Sequence, residues 1–260
     1  MKFIRFIQEN RSEPKIGWIY NDFVGEIEGN LFGEYRRLEA TIPIENVRLL
    51  APILPGKIVA VGWNYIDHAK EFDRAIPEYP TIFLKPPSTI IGTGEAIVLP
   101  EVSERVEHEA ELAIVIGKRA KSVIPENAFF HVFGYTVAND ITARDLQMKD
   151  ETFTRGKGFD TFCPIGPWIE TDFEPADAVV TCRVNTELRQ MASTRDMIFP
   201  IPAIIAYISS IMTLMPGDMI LTGTPAGTSP IYAGNVIETQ IEGIGQLVNP
   251  VTKPNRSVPY

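Results

Sequence analysis

The stretch Val106-Glu-His-Glu-Ala-Glu-Leu-Ala-Ile-Val-Ile-Gly117 places glutamates at every second position. On a strand, residues two apart share a face, so Glu107, Glu109 and Glu111 project together at intervals of roughly 6–7 Å. Three carboxylates in a row repel one another unless a cation or basic groups sit among them. A solvated strand face could carry the same triplet. Here, however, Ala113 and Val115 continue that face with apolar side chains, which turns it toward a protected site, while Leu112, Ile114 and Ile116 face a core. Oxygen donors in a protected pocket suit a hard divalent ion such as Mg²⁺ or Mn²⁺. Zinc fits less well, because the chain has 3 histidines and no His-Glu-x-x-His pattern.

A further carboxylate comes from Tyr135-Thr-Val-Ala-Asn-Asp140-Ile-Thr-Ala-Arg144-Asp-Leu-Gln147, where a strand gives way to a helix predicted near 140–150. Asp140 falls at or near its N-cap, and capping alone would account for it. Asp140, Arg144 and Gln147 also stand at i, i+4 and i+7, one polar stripe of a helix. With Asp140 on a metal ion, Arg144 and Gln147 would be placed to grip a carboxylate or carbonyl; a plain Asp140–Arg144 pair is the other outcome. His68 and Glu71 are i, i+3 on a short predicted helix. The glutamate can orient and polarise the imidazole, as removal of a proton from water near neutral pH requires; a structural histidine is the alternative. Two loops remain, Arg155-Gly-Lys157-Gly-Phe-Asp-Thr161 and Thr222-Gly-Thr224-Pro-Ala-Gly227. Glycines flanking Lys157 let the backbone come close to a neighbour. Neither loop has the spacing of a phosphate-binding motif, and either could be an ordinary connection.

These side chains need a scaffold, and the pattern supplies mostly strands. Strand-like runs fall at 2–7, 16–20, 23–27, 57–62, 81–84, 96–99, 110–117, 131–138, 179–184 and 218–222, with helical patterns near 65–73, 140–150 and 203–214. The class is mainly β with a few helices (α+β). No regular β-α-β-α alternation is present, which disfavours a doubly wound nucleotide fold. Pro52 and Pro55-Gly56 mark a junction between a small β-rich N-terminal domain over 1–54 and a main body over 55–260. Lys plus Arg is 24 against 33 Asp plus Glu, a net charge of −9. That balance argues against nucleic acid or an anionic membrane as partner, and a small anionic substrate would need a local cation. The run 197–217 is free of charge, yet Pro200 and Pro202 suit the first turn of a buried helix and Pro216-Gly217 its end. The N-terminus alternates polar and apolar residues, unlike an export signal, and two cysteines form no disulfide framework; the expected location is cytoplasmic.

Taken in order, Gly62-x-Asn-Tyr65-x-x-His68-x-x-Glu71, Pro80-x-x-Phe-x-Lys-Pro, His108-Glu109-x-Glu111-Leu, Gly134-Tyr-x-x-x-Asn-Asp140-x-Thr-Ala-Arg144-Asp-Leu-Gln147, Lys157-x-Phe-Asp-Thr and Leu221-Thr-Gly-Thr224-Pro-x-Gly227 resemble the fumarylacetoacetate hydrolase family. Glu187-Leu-Arg-Gln190 and Met197-Ile-Phe also fit, and the resemblance covers about residues 55–248. The match is best to its short acylpyruvase-type and hydroxyheptadienedioate isomerase-type members. It implies a mixed β-sandwich or β-roll, a homodimer, and Mg²⁺ or Mn²⁺ on Glu109, Glu111 and Asp140, with Glu107 left in an outer or surface position. It further implies His68 and Glu71 as the water-activating pair and Lys157 beside a developing oxyanion. Arg144, Gln147, Thr224 and Tyr65 fall at substrate-contacting positions. Trp63 departs from the pattern, standing where acylpyruvase-like members often carry Arg.

The activity this implies is hydrolytic C–C cleavage of a 3-acylpyruvate-type 2,4-dioxo acid to pyruvate and a carboxylic acid. His68 would activate water for attack on the distal carbonyl while Lys157 steadies the oxyanion. Oxaloacetate decarboxylation or tautomerisation, or isomerisation of 2-hydroxyhepta-2,4-diene-1,7-dioate, would use the same 2-oxo-acid activation. A non-catalytic binder of small oxo-acids is the alternative from a different class.

Overall fold

Residues 1–9 and 11–254 are described by the computed structural model; Asn10, in the first expected turn, and residues 255–260 lie outside the described residues. Strand Ala110–Ile116 is the centre of the fold because every residue in it is apolar but one, and all seven are buried. On one side it pairs antiparallel with Val132–Asn139, Ala110 opposite Asn139 and Glu111 opposite Ala138. On the other it pairs with Met219–Leu221, Ala113 opposite Leu221. Met219–Leu221 in turn runs parallel to Ile58–Gly62, which pairs with Thr81–Lys85. Beyond Val132–Asn139 the sheet continues through Cys163–Glu170 to Lys2–Gln8, Lys15–Tyr20 and Phe23–Gly29, so the N-terminal strands extend the same sheet. A second, five-stranded sheet has the order Ile97–Val98, Gly245–Thr252, Val236–Ile241, Val179–Val184, Glu187–Ser193.

Strand alternation sorts the central residues into two cores. Leu112, Ile114 and Ile116 pack with Val180, Ile237 and Leu247 of the second sheet and with Ile204 and Ile208 of helix Ile201–Ile211. Ala113 and Val115 face the other way, among Ile58, Ala60, Ile165 and Leu221. Each fully buried aliphatic side chain contributes about 1.5–3 kcal/mol by leaving water. The mainly β, mixed two-sheet class expected from the sequence is the one observed.

Three local expectations are corrected. The helix expected over 203–214 spans Ile201–Ile211, with Pro202 in its first turn; Met212 turns extended, and Leu214 leaves to bridge Ala120. The helix expected from 140 begins only at Arg144, with Ala143 as its cap, so Asp140 is not its N-cap. The β-branched pair Ile141-Thr142 stays extended instead: Ile141 N–H donates to Phe162 O, and Thr142–Ala143 pairs with Val106–Glu107. Lys157, read as part of a loop, ends a single helical turn, Thr154–Lys157. Its neighbour Gly156 explains the glycine: a Cβ there would lie 2.8 Å from Gln147 Cβ and 3.0 Å from its backbone. Among the described residues no helix is long and apolar enough to cross a membrane.

Candidate active site

The register of the central pair brings the acidic residues together. Because Ala110 faces Asn139, Glu109 and Asp140 leave the same end of the sheet, and Asp140 N–H donates to Glu109 O at 2.9 Å. Asn139 Oδ1 in turn accepts from Glu109 N–H at 2.8 Å, fixing the break between Val106–Glu107 and Ala110–Ile116. The even spacing of Glu107, Glu109 and Glu111 therefore does not lie on one unbroken strand. Glu109, Glu111 and Asp140 are all buried, and each offers an oxygen within 4.8 Å of the others.

Cations surround two of the three. Lys157 Nζ donates to Glu109 Oε2 at 2.7 Å, Asp140 Oδ2 at 2.6 Å and Thr142 Oγ1 at 2.8 Å. Arg144 donates from Nε to Glu107 Oε2 at 2.7 Å, and from its terminal nitrogens to Glu109 Oε1 at 2.5 Å and Gln147 Oε1 at 2.6 Å. Lys85 Nζ lies 2.6 Å from Asp140 Oδ1 and donates to Lys157 O at 2.5 Å. Burial alone would push Glu109 up, but Lys157 and Arg144 outweigh it and hold its carboxyl far below the usual range. The ammonium of Lys157 is favoured in turn: burial works against it, and Asp140 and Glu109 overcome that cost.

Glu111 is the exception. Its Oε2 accepts from Gly223 N–H at 2.7 Å, and among the described residues no cation pairs with it. Burial, Asp140 and Glu109 together push its carboxyl well above the usual range. Four buried carboxylates (Glu107, Glu109, Glu111, Asp140) thus meet three buried cations (Lys85, Arg144, Lys157) and the exposed Arg105, which pairs with Glu107; among the described residues none of these cations pairs with Glu111. Three converging carboxylates, one of them without a cation partner among the described residues, fit a hard divalent cation, so the triad could hold one.

Facing the triad is the histidine. His68, on helix Ile66–Glu71, places Nδ1 3.2 Å from Glu71 Oε2, and Glu71 Oε1 accepts from Gly227 N–H at 2.8 Å. Burial would raise Glu71, yet those two hydrogen bonds hold it below its usual value. The imidazole Nε2 makes no hydrogen bond among the described residues and is left to the cleft that His68 lines. Trp63 stacks on the imidazole at 5.3 Å and 22°, and Phe72 meets it edge-on at 5.1 Å. Trp63 holds a positive φ of 57° to do so. Asn64 fastens this segment: its amide donates to Thr222 O at 2.7 Å and accepts from Phe199 N–H at 2.8 Å.

The cleft is lined by Trp63, His68, Glu109, Glu111, Asp140, Arg144, Gln147, Lys157 and Thr224, among others. Of the ten residues expected at this site from the sequence, nine line it or, like Glu71, hold a residue that does. Arg144 and Thr224 lie there with their polar groups committed. Thr224 Oγ1 accepts from Gln190 Nε2 at 2.8 Å and donates to Ala110 O at 2.9 Å. Tyr65 is buried and lines a neighbouring groove with Met197 and Pro225. Lys85, which had no assigned role, and Glu107, expected in an outer or surface position, are both buried among these charges, Glu107 holding Arg144. Lys85 falls in the Pro80-x-x-Phe-x-Lys-Pro motif, but nothing in its strand showed which carboxylate it would meet.

A mixed two-sheet fold thus gathers a buried carboxylate triad, an ammonium within it and a His–Glu pair, groups of the kind that enzymes use to move protons. The chain belongs to the fumarylacetoacetate hydrolase family: the model for the fumarylacetoacetate (FAA) hydrolase C-terminal region matches residues 57–252. A second model, Rv2993c-like N-terminal, matches residues 1–52. The human protein named oxaloacetate tautomerase FAHD2A, mitochondrial, is 39% identical over 261 residues, 94% of this chain and 83% of that protein. The solved structure of 2-hydroxyhepta-2,4-diene-1,7-dioate isomerase from Mycobacterium marinum is 42% identical, covers 98% of this chain and 100% of its own, and superposes with a TM-score of 0.89. Maleylpyruvate hydrolase from Sphingobium sp. SYK-6 is 33% identical over 98% of this chain and 100% of its own, with a TM-score of 0.80.

Proposed function

We propose that this enzyme interconverts keto and enol forms of a small 2-oxo-dicarboxylate of the oxaloacetate type. The observation that carries the reading is His68 Nε2, a single base left to the cleft opposite Lys157. One base and one cation near the 2-oxygen suffice for enolisation. Glu109, Glu111 and Asp140 would hold Mg²⁺ or Mn²⁺, which when bound would supply Lewis acidity toward the 2-oxo and carboxylate oxygens. His68 removes a proton from the carbon beside the 2-oxo group, with Glu71 fixing the ring. Charge moves to the 2-oxygen, where Lys157 stabilises it, and return of the proton to that oxygen gives the enol. Trp63 and Phe72 shield the imidazole from bulk water, and the Gln147 amide nitrogen serves as a donor to the substrate. The names of the human and Mycobacterium marinum relatives support proton-transfer chemistry at such substrates.

Hydrolysis of a 3-acylpyruvate is the second reading, favoured by the His68–Glu71 bond, which suits a base for water as well as for carbon, and by the name of the Sphingobium relative. Ultraviolet assays of oxaloacetate enol and of acetylpyruvate, each with Mg²⁺, Mn²⁺ or excess EDTA, separate the two. Accelerated, metal-dependent loss of the enol that falls about 10²–10⁴-fold in His68→Ala is the expected result. Consumption of acetylpyruvate with no effect on the enol would replace it with the hydrolase.

A further inference from the structure

Gln190, in strand Glu187–Ser193, is buried and spends every hydrogen bond it can make. Its Oε1 accepts from Ala110 N–H at 3.0 Å, and its Nε2 donates to Pro225 O at 2.7 Å. One partner can only donate and the other can only accept, so the amide has a single orientation. The remaining donor goes to Thr224 Oγ1 at 2.8 Å, and the remaining acceptor site to His108 Nδ1 at 2.9 Å. His108 therefore carries its proton on Nδ1, and Nε2 accepts from Ser229 Oγ at 2.9 Å. The turn 222–229 is thus held at Thr224, Pro225 and Ser229 by one buried amide and its imidazole neighbour.

That turn touches both halves of the site. Gly223 N–H binds Glu111, and Gly227 N–H binds Glu71. Gly227 has φ 97°, and a Cβ on it would lie 2.1 Å from Arg189 O, so the turn lies directly on the strand that carries Gln190. We propose that Gln190 is a positioning residue, holding the 222–229 turn so that Glu111 and the His68–Glu71 pair keep one mutual register. The proposal rests on the roles given above to Glu111 and Glu71.

Its test uses the full-length protein. Gln190→Met keeps the length and removes all four bonds; Gln190→Glu keeps the acceptor for Ala110 and His108 and sets an oxygen against Pro225 O. In hydrogen–deuterium exchange without metal, both variants should exchange about tenfold faster at 222–229 and 66–72, with wild-type protection in the central strands. Mn²⁺ affinity should fall about 10-fold or more. Gln190→Met added to Glu71→Gln should lower kcat by no more than about twofold, because both act through the same link. Unchanged exchange at 66–72, or fully additive losses in kcat, overturns the proposal. Should Gln190→Met fail to fold, the glutamate variant decides. A wild-type protein that binds no Mn²⁺ and converts no oxaloacetate would overturn the functional reading instead, while the exchange comparison still decides the part played by Gln190.

Discussion

Glu111 carries a strain that its neighbours do not. It is buried beside two carboxylates with one backbone N–H for support. Glu111→Gln keeps that acceptor and removes the charge. Without metal, the variant should be more stable than wild type by on the order of 1–4 kcal/mol in urea unfolding. Its affinity for Mn²⁺ should fall by more than about 100-fold, which calorimetric titration reads. His108 makes the opposite kind of statement. Burial outweighs its hydrogen bond to Gln190 and lowers its pKa from 6.5 to about 4. Between those values the unfolded chain binds the proton and the folded protein does not. His108 therefore stabilises the fold fully above pH 6.5, and that contribution, about 3 kcal/mol, is lost as pH falls toward 4. Urea midpoints at pH 7 and pH 4.5 should show a loss that His108→Gln largely lacks.

At the scale of elements, two short helices place the Arg144, Gln147 and Lys157 side chains, and they meet at Gly156. Gly156→Ala drives them apart, costs about 1–3 kcal/mol, and should lower kcat by moving Gln147 and Lys157 off the cleft. Thermal melts and oxaloacetate kinetics check both parts. Which residues sequence could assign follows from the same elements. Glu111 was legible because strand alternation fixes its side, and Glu109 and Asp140 because their motifs are distinctive, although Glu109 lies in a break between two strands. The cap assigned to Asp140 failed because Ile141 and Thr142 find partners outside any helix, which periodicity does not see. Lys85 went unassigned because a lone lysine in an apolar strand gives no local hint that a carboxylate waits across the sheet. The helical stripe of Asp140, Arg144 and Gln147 was half right: Arg144 and Gln147 do meet, on a helix that starts beyond Asp140.

For the whole molecule, the continuity of the large sheet matters most. Phe6 is buried in a small cluster with Ile4 and Val24, on a strand joined by pairing to Cys163–Glu170 and so to the central strands. Phe6→Ala should cost about 3–5 kcal/mol. Because one ladder runs from that strand to the active centre, the loss should lower a single unfolding transition followed by circular dichroism, rather than release an early one of its own.

The stacking of Trp63 on His68 has a spectroscopic consequence. The chain has 3 tryptophans, and Trp18 and Trp168 lie in the sheet away from the cleft. An imidazolium quenches indole emission where a neutral imidazole does so far less. The light emitted by Trp63 is therefore a built-in gauge of the His68 ring on which it stacks, readable in the resting protein and without a substrate, a dye or a label.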